Sequence, residues 1–454
     1  MKDAQEVSHG IVYIGLGYVG LTGAIHFAKA GIPVLGYDTD QAVVSSINAG
    51  NPRGKEFLSY LHQDLPSLLQ QGLLRATSTL TDLVGSSTFI LAVPSEKDGA
   101  PWMQPVIDTV LKILRLSEKP PLILIESTLT PGTAENIVTL AEQQLQATVG
   151  KDYWLSVCPR KDWFGDKARN LTNLPRVVGG MTKSCTERAV EVLCQVSDDI
   201  HRADAVTAEL TKVVENGIFH ENIMYVHQLA LDMPHRNIAE AVRLACLHWR
   251  LPKLYLGFGS AGRCIPLGNR YLLEAISQNK DLLSGETRFS LGRIAIETDN
   301  ALRKRIVEYA VQCCTNNAQK IAVLGLGYRP DFADVGLSPG LFIAQHLHQL
   351  QKLTVTVHDT VWSPEEIKKR WHLPFLPLSE LSSCDLILLS TPHTEYHTLP
   401  QSRTYWRAGQ IILDAQGTWQ EERALFAQLG VHYKRVGDPG WLDVPQRSIP
   451  TSRA

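Results

Sequence analysis

The stretch IVYIGLGYVGLTGAIHFAKAGIPVLGYDTD, residues 11–40, decides the fold. Four apolar residues, Ile11 to Ile14, run into Gly15, Gly17 and Gly20; a helical pattern follows to about Gly31, and a second apolar run ends at Asp38. Strand, glycine turn, helix and strand, with an acid eighteen positions after the third glycine, form the pattern of a dinucleotide-binding βαβ unit. Gly15 makes the tight turn, Gly17 lets the backbone approach a pyrophosphate, and Gly20 lets helix and strand pack. The helix start offers N–H groups to phosphate oxygens. Asp38 is placed to accept hydrogen bonds from the adenosine ribose and to repel a 2′-phosphate, so NAD is the expected cofactor.

Working outward, STFILAVPSE (87–96) and PLILIESTLTPGT (121–133) are apolar strands ending in polar turns. Ligands of doubly wound folds bind at such strand ends, so Ser95, Ser127 and Thr128 are expected where cofactor and substrate meet. YWLSVCPRKDWFGD (153–166) and PRVVGGM (175–181) read as two closing strands. From about 203 the pattern becomes one long helix with no proline before Pro234, and mostly helical sequence continues to about 312. KIAVLGLGYRPD (320–331) then opens a second αβ series, with strands in LTVTVHDT, CDLILLSTPH and GQIILDAQG. Its turn has Gly325 and Gly327 but no third glycine, although Asp359 follows the next strand. The expected fold class is therefore α/β, with two Rossmann-like domains joined by a central helical domain. The expected boundaries are 1–200, 201–312 and 313–442, with a tail at 443–454. The second Rossmann-like domain is expected to lack a strong dinucleotide site.

Composition narrows the function classes. The formal charge of −2 over 454 residues leaves no basic surplus for nucleic acid. No run approaches the roughly eighteen apolar residues of a membrane span, and the opening MKDAQEVSHG has no apolar signal core, so the cytoplasm is the expected compartment. Eight cysteines form no CxxC pair and no zinc-like spacing, so no metal site is expected and the thiols should be free in a reducing compartment.

Two local patterns carry chemistry. In GFGSAGRCIPLGNRY (257–271), Gly257, Gly259 and Gly262 make a side-chain-poor loop that could wrap a bulky polar ligand against the sulfur of Cys264. Read alone, that cysteine is as readily a small core residue. Lys212 and Asn216 lie four apart on the long helix and could together stabilise negative charge developing on an oxygen; the alternative is a solvated helix face.

GLGYVGL (15–21), VPSE (93–96), ESTLTPGT (126–133), ELTKVVENGIF (209–219), GFGSAGRCIP (257–266) and VLGLGYRPD (323–331) occur in an order that resembles the UDP-glucose/GDP-mannose dehydrogenase family, especially its bacterial UDP-N-acetylhexosamine members. The resemblance implies two NAD-dependent oxidations of a sugar hydroxymethyl to a carboxylate, with Cys264 as the nucleophile that captures the aldehyde. It implies Lys212, Asn216 and Thr128 around the reacting oxygens, and Gly15, Gly17, Tyr18, Val19, Gly20, Asp38, Pro94, Ser95 and Ser127 around the cofactor. Arg160, Arg250, Gly257, Gly259, Gly262, Tyr328 and Arg329 are the implied contacts to a UDP-linked sugar, in a homodimer supplying surface polysaccharide. Four positions depart from the family pattern. Arg160 stands for a glutamate that activates water, Gly268 for an aspartate, Gly336 for an arginine and Arg263 for a histidine. The added arginines and lost carboxylates imply an electropositive pocket favouring the Cys264 thiolate. Water activation then falls to Glu215, Asp162 or solvent, or the chemistry is altered: a single two-electron oxidation, or transfer of the acyl group elsewhere. A non-catalytic binder of nucleotide sugar or NAD is the third reading.

Overall fold

The computed structural model describes residues 10–52, 64–162, 169–278, 289–314, 319–350 and 353–445. The expected tail lies outside them from residue 446 onward. The chain divides into two compact units, one of Met1–Glu215 with Arg270–Glu286, the other of Asn216–Asn269 with Thr287–Ala454.

The first unit is built on β1 (Ile11–Ile14), β2 (Val34–Tyr37), β3 (Leu74–Thr77) and β4 (Thr88–Leu91), a hairpin of β5 (Glu96–Lys97) and β6 (Ala100–Pro101), then β7 (Leu122–Ile125), β8 (Trp154–Val157), β9 (Arg176–Gly180) and β10 (Ile200–Asp204). Among the described residues its sheet has eight strands in the order β10-β9-β8-β7-β4-β1-β2-β3. β8 and β9 are antiparallel; the remaining neighbours are parallel. Alternate residues of β1 face opposite sides. Ile11 and Tyr13 pack with Ile25 and Phe27, whereas Val12 and Ile14 pack with Val106, Val110 and Ile137. A strand covered on both faces must be apolar throughout, which is why IVYI does not alternate. Register places Ile14 level with Tyr37 and Leu91, so the turns after β1, β2 and β4 open on one edge.

The second unit carries β11 (Lys320–Leu324), β12 (Thr354–His358), β13 (Leu386–Leu389), β14 (Ile411–Asp414) and β15 (His432–Arg435), parallel in the order β12-β11-β13-β14-β15. The α/β class read from the sequence is the class observed. Residues 201–312 are shared between the two units. The helix Ala205–Asp232 divides between the units because its two ends bury different residues: Ala205 and Ala208 join the first core, Val226 and Ala230 the second. The indole of Trp441 donates to the Ala230 carbonyl at 3.1 Å.

The second glycine turn is filled from within. Asp359, 3% exposed, accepts from the Leu326 amide at 2.7 Å and lies 3.1 Å from Nε2 of His393. The next helix starts at Pro339, and it meets the turn: a Cβ at Gly340 would lie 2.3 Å from the Gly325 carbonyl oxygen, and the Ser338 hydroxyl donates to the Gly327 carbonyl at 3.3 Å. What distinguishes this turn from the first is His393, packed beside the acid.

Candidate active site

In the first unit, the turn after β1 is shaped for a phosphate backbone. Gly15 has φ +88°, and a Cβ there would lie 2.5 Å from the Ala92 carbonyl oxygen. A Cβ at Gly20 would collide with the Gly15 carbonyl, so helix and turn meet there, whereas a Cβ at Gly17 would meet nothing within 4 Å. Tyr18 and Val19 begin the helix Tyr18–Lys29, which has no side-chain N-cap. The start of the helix lies at the turn, where its dipole favours an anion. Asp38 accepts from the Leu16 amide at 2.7 Å and the Asp40 amide at 2.9 Å, and unlike Asp359 it stays partly exposed. Open space, helix terminus and ribose-facing acid together fit NAD.

Pro94, Ser95, Ser127 and Thr128 follow the ends of β4 and β7, along the same edge. Ser127 Oγ donates to the Val93 carbonyl at 2.7 Å, and the Ser95 carbonyl accepts from the Tyr271 hydroxyl at 2.9 Å. Lys212 Nζ and Lys161 Nζ each lie 3.1 Å from the Glu215 carboxylate. Burial raises the Glu215 carboxyl and the Lys212 charge more than offsets it, so it sits below its ordinary range and makes a poor base. One turn before Lys212, Glu209 accepts from the Gly132 and Ala134 amides at 2.6 and 2.8 Å, capping the helix Thr133–Leu145. Burial pushes Glu209 up to about 7. Sequence reasoning missed this cap; the signal was a helix beginning at Gly132 with no capping side chain of its own.

Arg160 corrects an expectation. Rather than offering a cation to a ligand, it is 6% exposed and bound at every nitrogen. Its guanidinium meets Glu126 at 3.0 Å and Asp162 at 2.6 Å, and donates to the Val19 carbonyl and the Thr22 hydroxyl, each at 3.2 Å. Arg176 takes the other Glu126 oxygen at 2.9 Å. Arg160 is therefore a buried tie beneath the Tyr18–Lys29 helix. Burial raises the Asp162 carboxyl, but Arg160 beside it more than offsets this and holds it below the carboxylate range, so Asp162 is no better a base than Glu215.

In the second unit, the glycine loop is anchored residue by residue while Cys264 is exposed, directly before the helix Ile265–Gln278. The Gly257 amide donates to Nε2 of His227 at 2.9 Å. Nδ1 of His227 faces the Ile223 carbonyl at 2.8 Å, which makes the ring neutral with its proton on Nδ1, and burial lowers its pKa accordingly. Asp299 accepts from the amide and hydroxyl of Ser260 at 2.9 and 2.8 Å. The Gly262 amide donates to the Gly336 carbonyl at 2.9 Å, and a Cβ on Gly262 would press on the Tyr328 ring at 3.2 Å. Arg329 stacks on Phe332, 3.4 Å from the ring centre.

Two departures from the family pattern prove to be one exchange. Arg263 lies 3.7 Å from Asp334 and across Gly336, where a Cβ would fall 2.7 Å from its Cγ. Arg263 fills the space that a side chain at 336 would need. Arg160 and Arg263 each lie beside a carboxylate, which offsets the charge that each brings. Gly268 also has a packing cause: a Cβ there would stand 2.7 Å from Asn216 Cβ and 2.7 Å from the Gly217 amide nitrogen. A pocket of about 150 Å³ lies beside the loop, lined by Phe219, Ile223, His227, Lys253 to Gly257, Gly259 and Gln416. Arg250 is not among its lining residues; it is exposed and stacks on Trp249 at 4.8 Å.

Residues 9–197 match the NAD-binding domain of the UDP-glucose/GDP-mannose dehydrogenase family, and residues 322–421 match its UDP-binding domain. The chain belongs to this family. It is similar to the UDP-N-acetyl-D-mannosamine dehydrogenase of Pyrococcus horikoshii, 28% identical over 93% of this chain and 98% of that protein. The NDP-N-acetyl-D-galactosaminuronic acid dehydrogenase of Ralstonia nicotianae is 26% identical over 91% and 97%. A solved structure of the Pyrococcus horikoshii UDP-D-ManNAc dehydrogenase superposes with a TM-score of 0.79 over 95% of this chain and 99% of that one, at 25% identity. The protein is thus an NAD-dependent nucleotide-sugar dehydrogenase, and its UDP-binding domain fits a UDP-linked substrate. Among the described residues, no helix is long and apolar enough to cross a membrane.

Proposed function

We propose that this dehydrogenase oxidises the C6 hydroxymethyl of a UDP-N-acetylhexosamine to the uronic acid, through a thiohemiacetal and then a thioester on Cys264. The observation that carries the reading is the loop itself: Gly257, Ser260, Gly262 and Arg263 are each tied down, while the thiol four residues beyond Ser260 is left exposed. NAD, when bound at the Gly15–Gly20 turn, supplies the hydride acceptor. Lys212 and Asn216 hold the substrate oxygen as its proton leaves, with Thr128 orienting water. An aldehyde has no second hydride to give until a nucleophile adds, and the Cys264 sulfur makes that bond. The amides at the start of the Ile265–Gln278 helix favour the thiolate. Tyr328, Arg329 and the Gly257–Gly262 loop hold the diphosphate and sugar, and the pocket beside the loop takes one ring of the nucleotide.

The test is to incubate the protein with NAD and UDP-N-acetyl-D-mannosamine and count NADH per sugar. Two are expected for the wild type, and Cys264→Ser should stop at the aldehyde. Full acid formation by that variant overturns the role of the cysteine. A second reading, in which the acyl group is not hydrolysed, draws on one observation: the two carboxylates expected to activate water are both paired, Asp162 with Arg160 and Glu215 with Lys161 and Lys212. Its signature is a lasting acyl adduct on Cys264 in the mass of the intact protein.

A second copy of this chain is the proposed partner for the exposed apolar residues Ile218, Tyr225, Leu247, Trp249 and Tyr255. Light scattering on the wild type and on Tyr225→Glu tests it: a dimer is expected for the first and a monomer for the second.

A further inference from the structure

Ser260 is held by all three of its hydrogen-bonding groups. Its amide and hydroxyl donate to the two oxygens of Asp299, and its carbonyl accepts from Nη2 of Arg303 at 2.6 Å. Asp299 and Arg303 sit one turn apart on the helix Ser290–Cys313, joined at 2.9 Å, and are 5% and 7% exposed. Gly259, at φ +137°, is the residue that makes room. A Cβ there would lie 2.6 Å from Asp299 Oδ1 and 3.1 Å from Arg303 Nε.

The cluster continues past the carboxylate. Nε2 of His220, on the Ala205–Asp232 helix, lies 4.0 Å from Asp299 Oδ2, and its Nδ1 lies 3.3 Å from the side-chain nitrogen of Asn269. His220 is 1% exposed and Asn269 fully buried. Cys264 is therefore bracketed: Ser260, four residues before it, and Asn269, five after, are the two ends of one buried polar chain.

An ion pair buried this deeply is a poor source of stability, because desolvation offsets most of the attraction. Two helices are equally well joined by apolar contacts. A planar guanidinium that reads a carbonyl and a carboxylate at once does supply direction.

We infer that Asp299, Arg303 and His220 are positioning residues that fix the Ser260–Asn269 segment so that the Cys264 sulfur is aimed for addition to the aldehyde. The inference rests on the cysteine reading above. It deepens that reading by naming what aims the thiol. The first hydride transfer does not need the sulfur; the second does. Loosening the network should therefore uncouple the two steps.

The experiment uses the full chain with NAD and UDP-N-acetyl-D-mannosamine. It follows aldehyde and acid by mass spectrometry, and separately measures hydrogen–deuterium exchange of the 257–265 amides without substrate. Lysine keeps the charge beside Asp299 but cannot span both acceptors, so Arg303→Lys should speed loop exchange and slow the second oxidation by about tenfold or more, with the first within about threefold and free aldehyde released. Ser260→Ala removes one hydroxyl and leaves both backbone bonds, so a change of only about twofold is expected. Wild-type loop exchange and a wild-type aldehyde-to-acid ratio in Arg303→Lys overturn the inference. So does an equal fall in both oxidations that tracks the melting temperature, as a purely structural pair would give. Acid production by Cys264→Ser sinks the cysteine reading instead, and loop exchange then reports on the network by itself.

Discussion

Restoring the family's side chain at residue 268 should damage this protein rather than improve it. Gly268 is buried, and an added Cβ would come to 2.7 Å from both Asn216 Cβ and the Gly217 amide nitrogen, where ordinary contact begins at 3.4 Å. The obstacle is helix backbone, which cannot rotate aside. Gly268→Ala therefore has to separate two helices by roughly 0.7 Å, an overpacking that costs about 1–3 kcal/mol. For a unit of this size that lowers Tm by about 2–12 °C. Activity should fall further than stability alone predicts, because the displaced residue is Asn216; a shift approaching 1 Å at a reacting group can cost about a hundredfold. Gly268→Asp should be worse, since it also buries a carboxylate. Thermal unfolding followed by circular dichroism, with kcat/KM from NADH production, measures both effects. An alanine variant with wild-type Tm and wild-type kcat/KM would refute the claim that these helices touch at Gly268.

Three further outcomes are expected. Arg160→Glu, which restores the family's residue there, sets a third carboxylate beside Glu126 and Asp162; urea unfolding should show a loss of about 3–5 kcal/mol rather than gained hydrolysis. His358 is held neutral by burial, at about 4 against an ordinary 6.5, so the unfolded chain takes up a proton that the fold refuses. Stability should then fall as pH drops from 6.5 to about 4, by up to about 3 kcal/mol from this residue, and His358→Gln should flatten the profile in urea melts. Asp38→Ser removes the ribose-facing carboxylate and one acceptor for the Leu16 amide; KM for NAD should rise about tenfold and discrimination against NADP should shrink, read from initial rates with each cofactor.

What was legible in the sequence was local. The Gly15–Gly20 turn, its strands and Asp38 lie within thirty residues, and each glycine has a backbone reason that its neighbours reveal. Cys264 was visible because small residues crowd in front of it. The partners that decide how those residues behave lie far along the chain. Arg160 looked like a cation for a ligand, yet Glu126 is 34 positions away and only the sheet brings them together. Arg263 and Gly336 looked like two unrelated losses until one was seen lying across the other. Asp299 and Arg303 have only ordinary i,i+4 spacing to mark them; the fold alone shows that they hold Ser260, which lies 39 residues before Asp299.

The turn around Asp359 bears on how one polypeptide would complete the four-electron oxidation proposed above. His393 lies against that acid, and the NAD-binding family match falls on the other turn, at Gly15–Gly20. Two successive oxidations at that one turn would be served in rotation: the spent coenzyme departs and a fresh one docks while the half-oxidised sugar waits. The proposed bond to the exposed Cys264 sulfur would keep that sugar from drifting away during the changeover.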